Sequence, residues 1–287
     1  MQLNAVQETT VNNPEVLQAS VGKQDKNDYR FPVALEPAYD ARGNKVPKTR
    51  LVVRQDSHDV LATVSERYRL ITHEQVMDPV SDFTRLLGKS EVKYSLERNG
   101  AKLMATHTFK DVALNLPGHK MPGQKKVGDT VALRTYSINS YNTTTPFEFK
   151  IGGMVLRCLN GATAFDSYFE LKFKHVGLHE INFPKPEIVL GAFQKQGATW
   201  SRWADTGIEG HQIKAMVEDG FRLQLMTRRA YQDNTHYFEQ AETVWDLYNA
   251  FTYVVTHSTR VQETGKVTRF DRLNNLFNHR FAEAVTA

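Results

Sequence analysis

The hydrophobic pattern of this chain changes period near residue 187, and that change limits the fold more than any other feature. Before it, apolar and polar residues alternate, as with Phe169, Leu171 and Phe173 against Glu170, Lys172 and Lys174. After it, apolar residues recur at three and four, as with Val244, Leu247, Tyr248, Phe251 and Val255. A period of two belongs to half-buried strands and a period near 3.6 to amphipathic helices. The pattern predicts an α+β fold, an antiparallel β-sheet meander with packed helices and a helix-rich C-terminal part. The expected division is a loose arm over 1–30, a β-rich core over 31–185 and a helical part over 186–287, together one domain.

Local signals sharpen this outline. Residues 1–30 carry too few large apolar groups to bury much surface. Turn signals at Pro37, Gly43-Asn44 and Pro47 precede strands at Leu51–Val53 and Val60–Val64 and an extended Tyr68–Ile71. Thr72 with Gln75 has the spacing of a capping box, and Val76, Val80, Phe83 and Leu87 form the apolar stripe of the helix that follows. Gly88 stops it; Asp78 with Pro79 is an alternative start. Asn99-Gly100 joins two alternating runs as a tight hairpin. The stretch "PGHKMPGQKKVGD" reads as a flexible basic loop, followed by strands at Val131–Ile138 and Phe147–Cys158. The stretches "PEIVLGAFQKQ", "IEGHQIKAMVED", "FRLQLMTRRAYQD" and "AETVWDLYNAFTYVVTHST" read as helices, with another near 271–284.

Composition excludes several classes. With 40% hydrophobic and 24% charged residues, the chain is ordinary globular material. Its single cysteine, Cys158, permits no intramolecular disulfide, which fits a reducing cytoplasm. Residues 1–20 lack the pattern of a secretory signal, and no run approaches the roughly 20 apolar residues of a membrane span. A soluble cytoplasmic protein with no membrane partner is expected. The formal net charge of +4 carries information only where it is concentrated on one face.

The catalytic motifs are weak. "LGKS" at Leu87–Ser90 lacks the upstream glycine of a phosphate loop. Asp56, His58 and Asp59 read as a turn, and His175 and His179 have no companion glutamate, so neither a metal nor any other cofactor is expected. Glu148 and Lys150 share a strand face and, with Asp129, define the alternative of a metal-dependent nuclease. Glu170 and Lys172 repeat the spacing, which marks it as common strand alternation.

The stretch Arg134–Asn160 stands apart. Arg134, Tyr136, Ile138 and Ser140 alternate on one strand face, and Thr135, Ser137 and Asn139 on the other. Exposed tyrosines stack on bases, at roughly 1–3 kcal/mol per base, while amides and cations bind phosphate and sugar. Arg134, Tyr136, Asn139, Tyr141 and Arg157, bordered by Lys120, Lys125 and Lys126, are therefore the candidate nucleic-acid-binding residues, with no catalytic residue among them.

Three blocks, "VSERYRLITHEQVMDPVSDF", "INSYNTTTPFEFKIGGMVLRCLN" and "TVWDLYNAFTYVVTH", resemble in that order the signature blocks of a phage- and plasmid-borne domain family of unknown function. The matching positions are Val64, Ser65, Arg67 and Tyr68; Asn139 and Ser140; Arg157, Cys158 and Asn160; and Trp245, Asn249, Ala250 and Thr252. The family continues Asn-Ser with His-Asp-Gly, where this chain has Tyr141-Asn142-Thr143, so chemistry resting on that pair is not implied here. In outline the strand-then-helix order is similar to phage single-strand annealing proteins. The resemblance implies a non-catalytic protein of phage replication or recombination in the infected bacterial cytoplasm. Its partner would be single-stranded nucleic acid, DNA before RNA, and it would form a homo-oligomeric ring or filament. A phage protein that binds a host protein is a further alternative.

Overall fold

The computed structural model describes residues 28–120, 122–123, 127–156, 160–163, 171–173, 181–258 and 260–282. Residues 1–27 of the arm expected over 1–30, the candidates Lys125, Lys126 and Arg157, and Cys158 lie outside those residues. The arm's end at 28–30 is not loose, since Tyr29 is buried and Arg30 pairs with Glu74 and Asp78 of the first helix. Two antiparallel sheets and seven helices make an α+β fold among the described residues, as the change of period requires.

The smaller sheet holds β1 (Val33–Tyr39), β2 (Lys45–Arg54) and β3 (Val60–Ser65) in sequence order. The helix α1 (His73–Leu87) follows. The larger sheet begins with β4 (Glu91–Glu97), β5 (Lys102–Leu116), β6 (Asp129–Ser140) and β7 (Phe147–Val155). Both β8 (Asn160–Thr163) and β9 (Leu171–Phe173) pair with β7. The chain ends in α2 (Pro186–Asp205), α3 (Gly210–Arg222), α4 (Arg228–Gln232), α5 (Thr235–Glu239), α6 (Val244–His257) and α7 (Glu263–Arg280). No helix among the described residues is long and apolar enough to cross a membrane.

Local chemistry sets these boundaries. Thr72 caps α1 through both halves of a capping box, its hydroxyl accepting from the Gln75 amide while the Gln75 side chain accepts from Thr72 N–H. The helix runs through Pro79, so the alternative start at Asp78 is not used; the missing N–H removes one internal bond and the apolar stripe holds the rest. The β4–β5 connection places Arg98, Asn99 and Gly100 at φ +54°, +57° and +95°, the left-handed geometry that Asn-Gly tolerates. The last helix starts at Glu263 rather than near 271, and residues 223–227 form a turn where helix was expected.

The larger sheet is covered on both faces, and this decides where function can sit. Its inner face carries Leu103, Phe109, Leu133, Phe149 and Ile151, which pack with Val76 and Phe83 of α1 and Trp200 of α2. Its outer face carries Met104, Tyr136 and Ile138, against which α7 packs Val267. Gly153 lets Trp200 reach the sheet: a Cβ there would lie 2.8 Å from the indole and 2.7 Å from Val131.

Candidate nucleic-acid interface

Because β6 is buried on both faces, the expected tyrosine cradle does not form. Tyr136 is 3% exposed, and Asn139 and Tyr141 are fully buried. The alternation was read correctly, but the face that looked open is roofed by α7. Rings enclosed in this way have no face to offer a base.

The two ends of the proposed surface go to different tasks. Asn139 and Tyr141 join a buried polar network with His73, the first residue of α1. Asn139 Nδ2 donates to His73 Nδ1 across 3.0 Å, and His73 Nε2–H donates to the Gly100 carbonyl across 2.9 Å. The Tyr141 hydroxyl accepts from the His73 amide at 2.8 Å, and the Tyr68 hydroxyl donates to the Tyr141 carbonyl at 3.3 Å. Burial pushes the Tyr141 phenol up to about 12. Two positions of the resemblance, Tyr68 and Asn139, thus tie the end of β6 to the segment that leads into α1 and to α1 itself. Arg134 and Tyr136 instead line a cleft on the outer face, beneath α6 and α7.

Lys120 is tethered. Its ammonium pairs with Glu242 and its amide donates to Asp246, which docks the start of the loop on the first turn of α6. Beside it, buried His119 and Trp245 both bond Asp129 Oδ2, at 2.6 and 2.9 Å. Residues 117–120 are therefore fixed, contrary to the expectation of a flexible segment. The cations at Arg222, Arg228 and Arg229 face Asp219, Glu218 and Asp233.

The nuclease set is rearranged. Asp129 points to the inner face, away from Glu148 and Lys150 on the outer one. Lys150 Nζ lies 2.6 Å from Asp271 Oδ2 of α7 and 3.1 Å from Glu148 Oε2. Burial opposes its charge, but the two carboxylates hold the ammonium above its ordinary range. Nothing in the sequence pointed to Asp271. No cluster of three metal-capable side chains occurs among the described residues.

An exposed basic surface lies on the β1–β2 hairpin. Tyr39, 61% exposed, stands opposite Lys45. The turn between the strands is built by Asp40, whose carboxylate accepts from the amides of Arg42 and Asn44 at 2.9 and 2.8 Å. Those bonds, Asn44 first, hold the carboxyl below its ordinary range. Lys48 takes φ +57° where the strand register shifts, and its carbonyl accepts from Glu66 N–H at 3.2 Å. That contact brings Arg67 and Arg69 to the same end of the smaller sheet. Arg42, Lys45, Lys48, Arg50, Arg67 and Arg69 are all exposed, and none forms an ion pair among the described residues. The same strands and their Lys48–Glu66 contact carry three carboxylates, Glu36, Asp40 and Glu66, so the six cations leave a local excess of three. Arg54 does not join them: it stacks over Phe31 at 3.9 Å and pairs with Asp56 at 2.7 Å. Arg67 and Arg69 were missed as site residues because only the β2–β3 pairing brings them beside Lys48.

A family model described as Domain of unknown function (DUF932) matches residues 60–277, and the chain belongs to that family. The match begins at β3, so the β1–β2 hairpin precedes it. No curated protein and no solved structure matches the chain.

Proposed function

We propose that this protein binds single-stranded nucleic acid, DNA before RNA, as a non-catalytic binding and annealing protein of phage replication or recombination. The observation that carries this reading is the unpaired cluster Arg42, Lys45, Lys48, Arg50, Arg67 and Arg69 beside exposed Tyr39. Exposed cations free of carboxylates are available to phosphates, and a projecting tyrosine offers a ring to a base. The phage setting rests on the sequence resemblance, and so does assembly into a ring or filament.

A labelled oligonucleotide incubated with its complement tests the reading. The protein should speed pairing and leave strand length unchanged with Mg²⁺ present. The combined variant Lys45→Glu, Lys48→Glu and Arg50→Glu should lose that effect. Shortened strands would favour a metal-dependent nuclease instead, with Glu148, Lys150 and Asp271 in place of the set that included Asp129.

A further inference from the structure

We propose that the cleft between the outer face of the larger sheet and the α6–α7 corner binds a nucleoside phosphate monoester. The inference is independent of the hairpin reading. The cleft has a volume of about 510 Å³, within the range of small-molecule sites.

Arg134 fixes the polar end. It is half-buried, and its Nε donates to Thr108 Oγ1 at 3.0 Å. It has no carboxylate partner among the described residues, whereas Lys150, two strand positions away on the same face, has two. An inward-facing guanidinium without a counter-ion is costly, and a planar fork of donors matches a phosphate. The carboxylates near the mouth are already engaged: Glu91 pairs with Lys110 and Glu263 with Lys266. Lys93, exposed at the same rim, has no partner among the described residues and adds a second charge of the right sign.

Two enclosed polar atoms line the same space. Thr256 Oγ1 has no hydrogen-bond partner among the described residues, and the Tyr136 hydroxyl, in a residue 3% exposed, lies beside the Arg134 guanidinium. Buried polar atoms are nearly always satisfied, so an orphan hydroxyl in the same cleft as a guanidinium without a carboxylate points to a ligand with polar groups of its own. The remaining wall is apolar and soft, with Met104, Met154, Val267 and Phe270. Thioethers and an aromatic edge suit a flat ring. An anion at one end, hydroxyl partners between and a flat ring at the other describe a base, sugar and phosphate.

That chemistry has two sources, a free mononucleotide and the 5′-phosphorylated end of a strand. Calorimetric titration of the full chain with dTMP and AMP, beside inorganic phosphate, tests the site. Saturable binding of a mononucleotide is expected, weakened at least tenfold by Arg134→Met and less by Arg134→Lys. The hairpin variant with Lys45→Glu and Lys48→Glu should bind mononucleotides normally, which separates this site from the hairpin. Tighter binding of a 5′-phosphorylated oligonucleotide than of its 5′-hydroxyl twin, lost in Arg134→Met, would support the site with the strand end as its source. If Arg134→Met does not fold, Lys93→Glu at the exposed rim should still weaken binding severalfold. Absence of saturable binding, or binding unchanged by both substitutions, overturns the proposal.

Discussion

Asn139 Nδ2 donates to His73 Nδ1 across 3.0 Å, tying the end of β6 to the first turn of α1. The bond fixes the imidazole as the tautomer that donates from Nε2 to Gly100 O. Because both residues are fully buried, no water replaces a lost partner. Asn139→Ala should cost about 1–3 kcal/mol, the penalty of a buried group left unsatisfied. Urea denaturation measures it.

Lys150 gives a larger effect. It is the counter-charge for Asp271 and Glu148 in a confined space between β7 and α7. Lys150→Met leaves two carboxylates facing each other and should destabilise by about 3–5 kcal/mol. Adding Asp271→Leu and Glu148→Gln should restore most of that loss, because the buried charges disappear together. Denaturation of the single and triple variants checks the order.

Stability should fall with acid through His107. Its ring is 3% exposed, its Nδ1 lies 3.2 Å from Ser90 Oγ, and burial pushes it down to about 4 from 6.5. The unfolded chain takes up this proton below about 6.5, whereas the folded chain resists it until about 4. Stability present at neutral pH is therefore lost as pH falls through that window, by up to about 3 kcal/mol. The denaturation free energy of His107→Gln, followed from pH 7 to pH 4, should show a correspondingly shallower decline.

Much of the fold was legible because its signals are local. The Thr72–Gln75 box, the Asn99-Gly100 turn and the alternation along β6 each depend on neighbours in sequence, and each is present. The site was less legible because exposure is not a local property. Arg134, Tyr136 and Ile138 do share a face, yet the element that covers them, α7, lies more than 120 residues further on. The same distance hid Asp271 from any reading of Glu148 and Lys150. The cations at Arg42, Lys45, Lys48 and Arg50 are close in sequence, but Arg67 and Arg69 join them only through the pairing of β2 with β3.

The most direct test of the central claim is the salt dependence of binding to a fluorescent single-stranded oligonucleotide, followed by anisotropy. Each phosphate neutralised on a single strand contributes about −0.7 to the log–log slope, so the six hairpin cations correspond to a slope of about −4. The account predicts a slope of that size for the native chain, and one reduced by about 2 after Lys45→Glu, Lys48→Glu and Arg50→Glu. No binding at low salt, or a slope untouched by those three reversals, would contradict it.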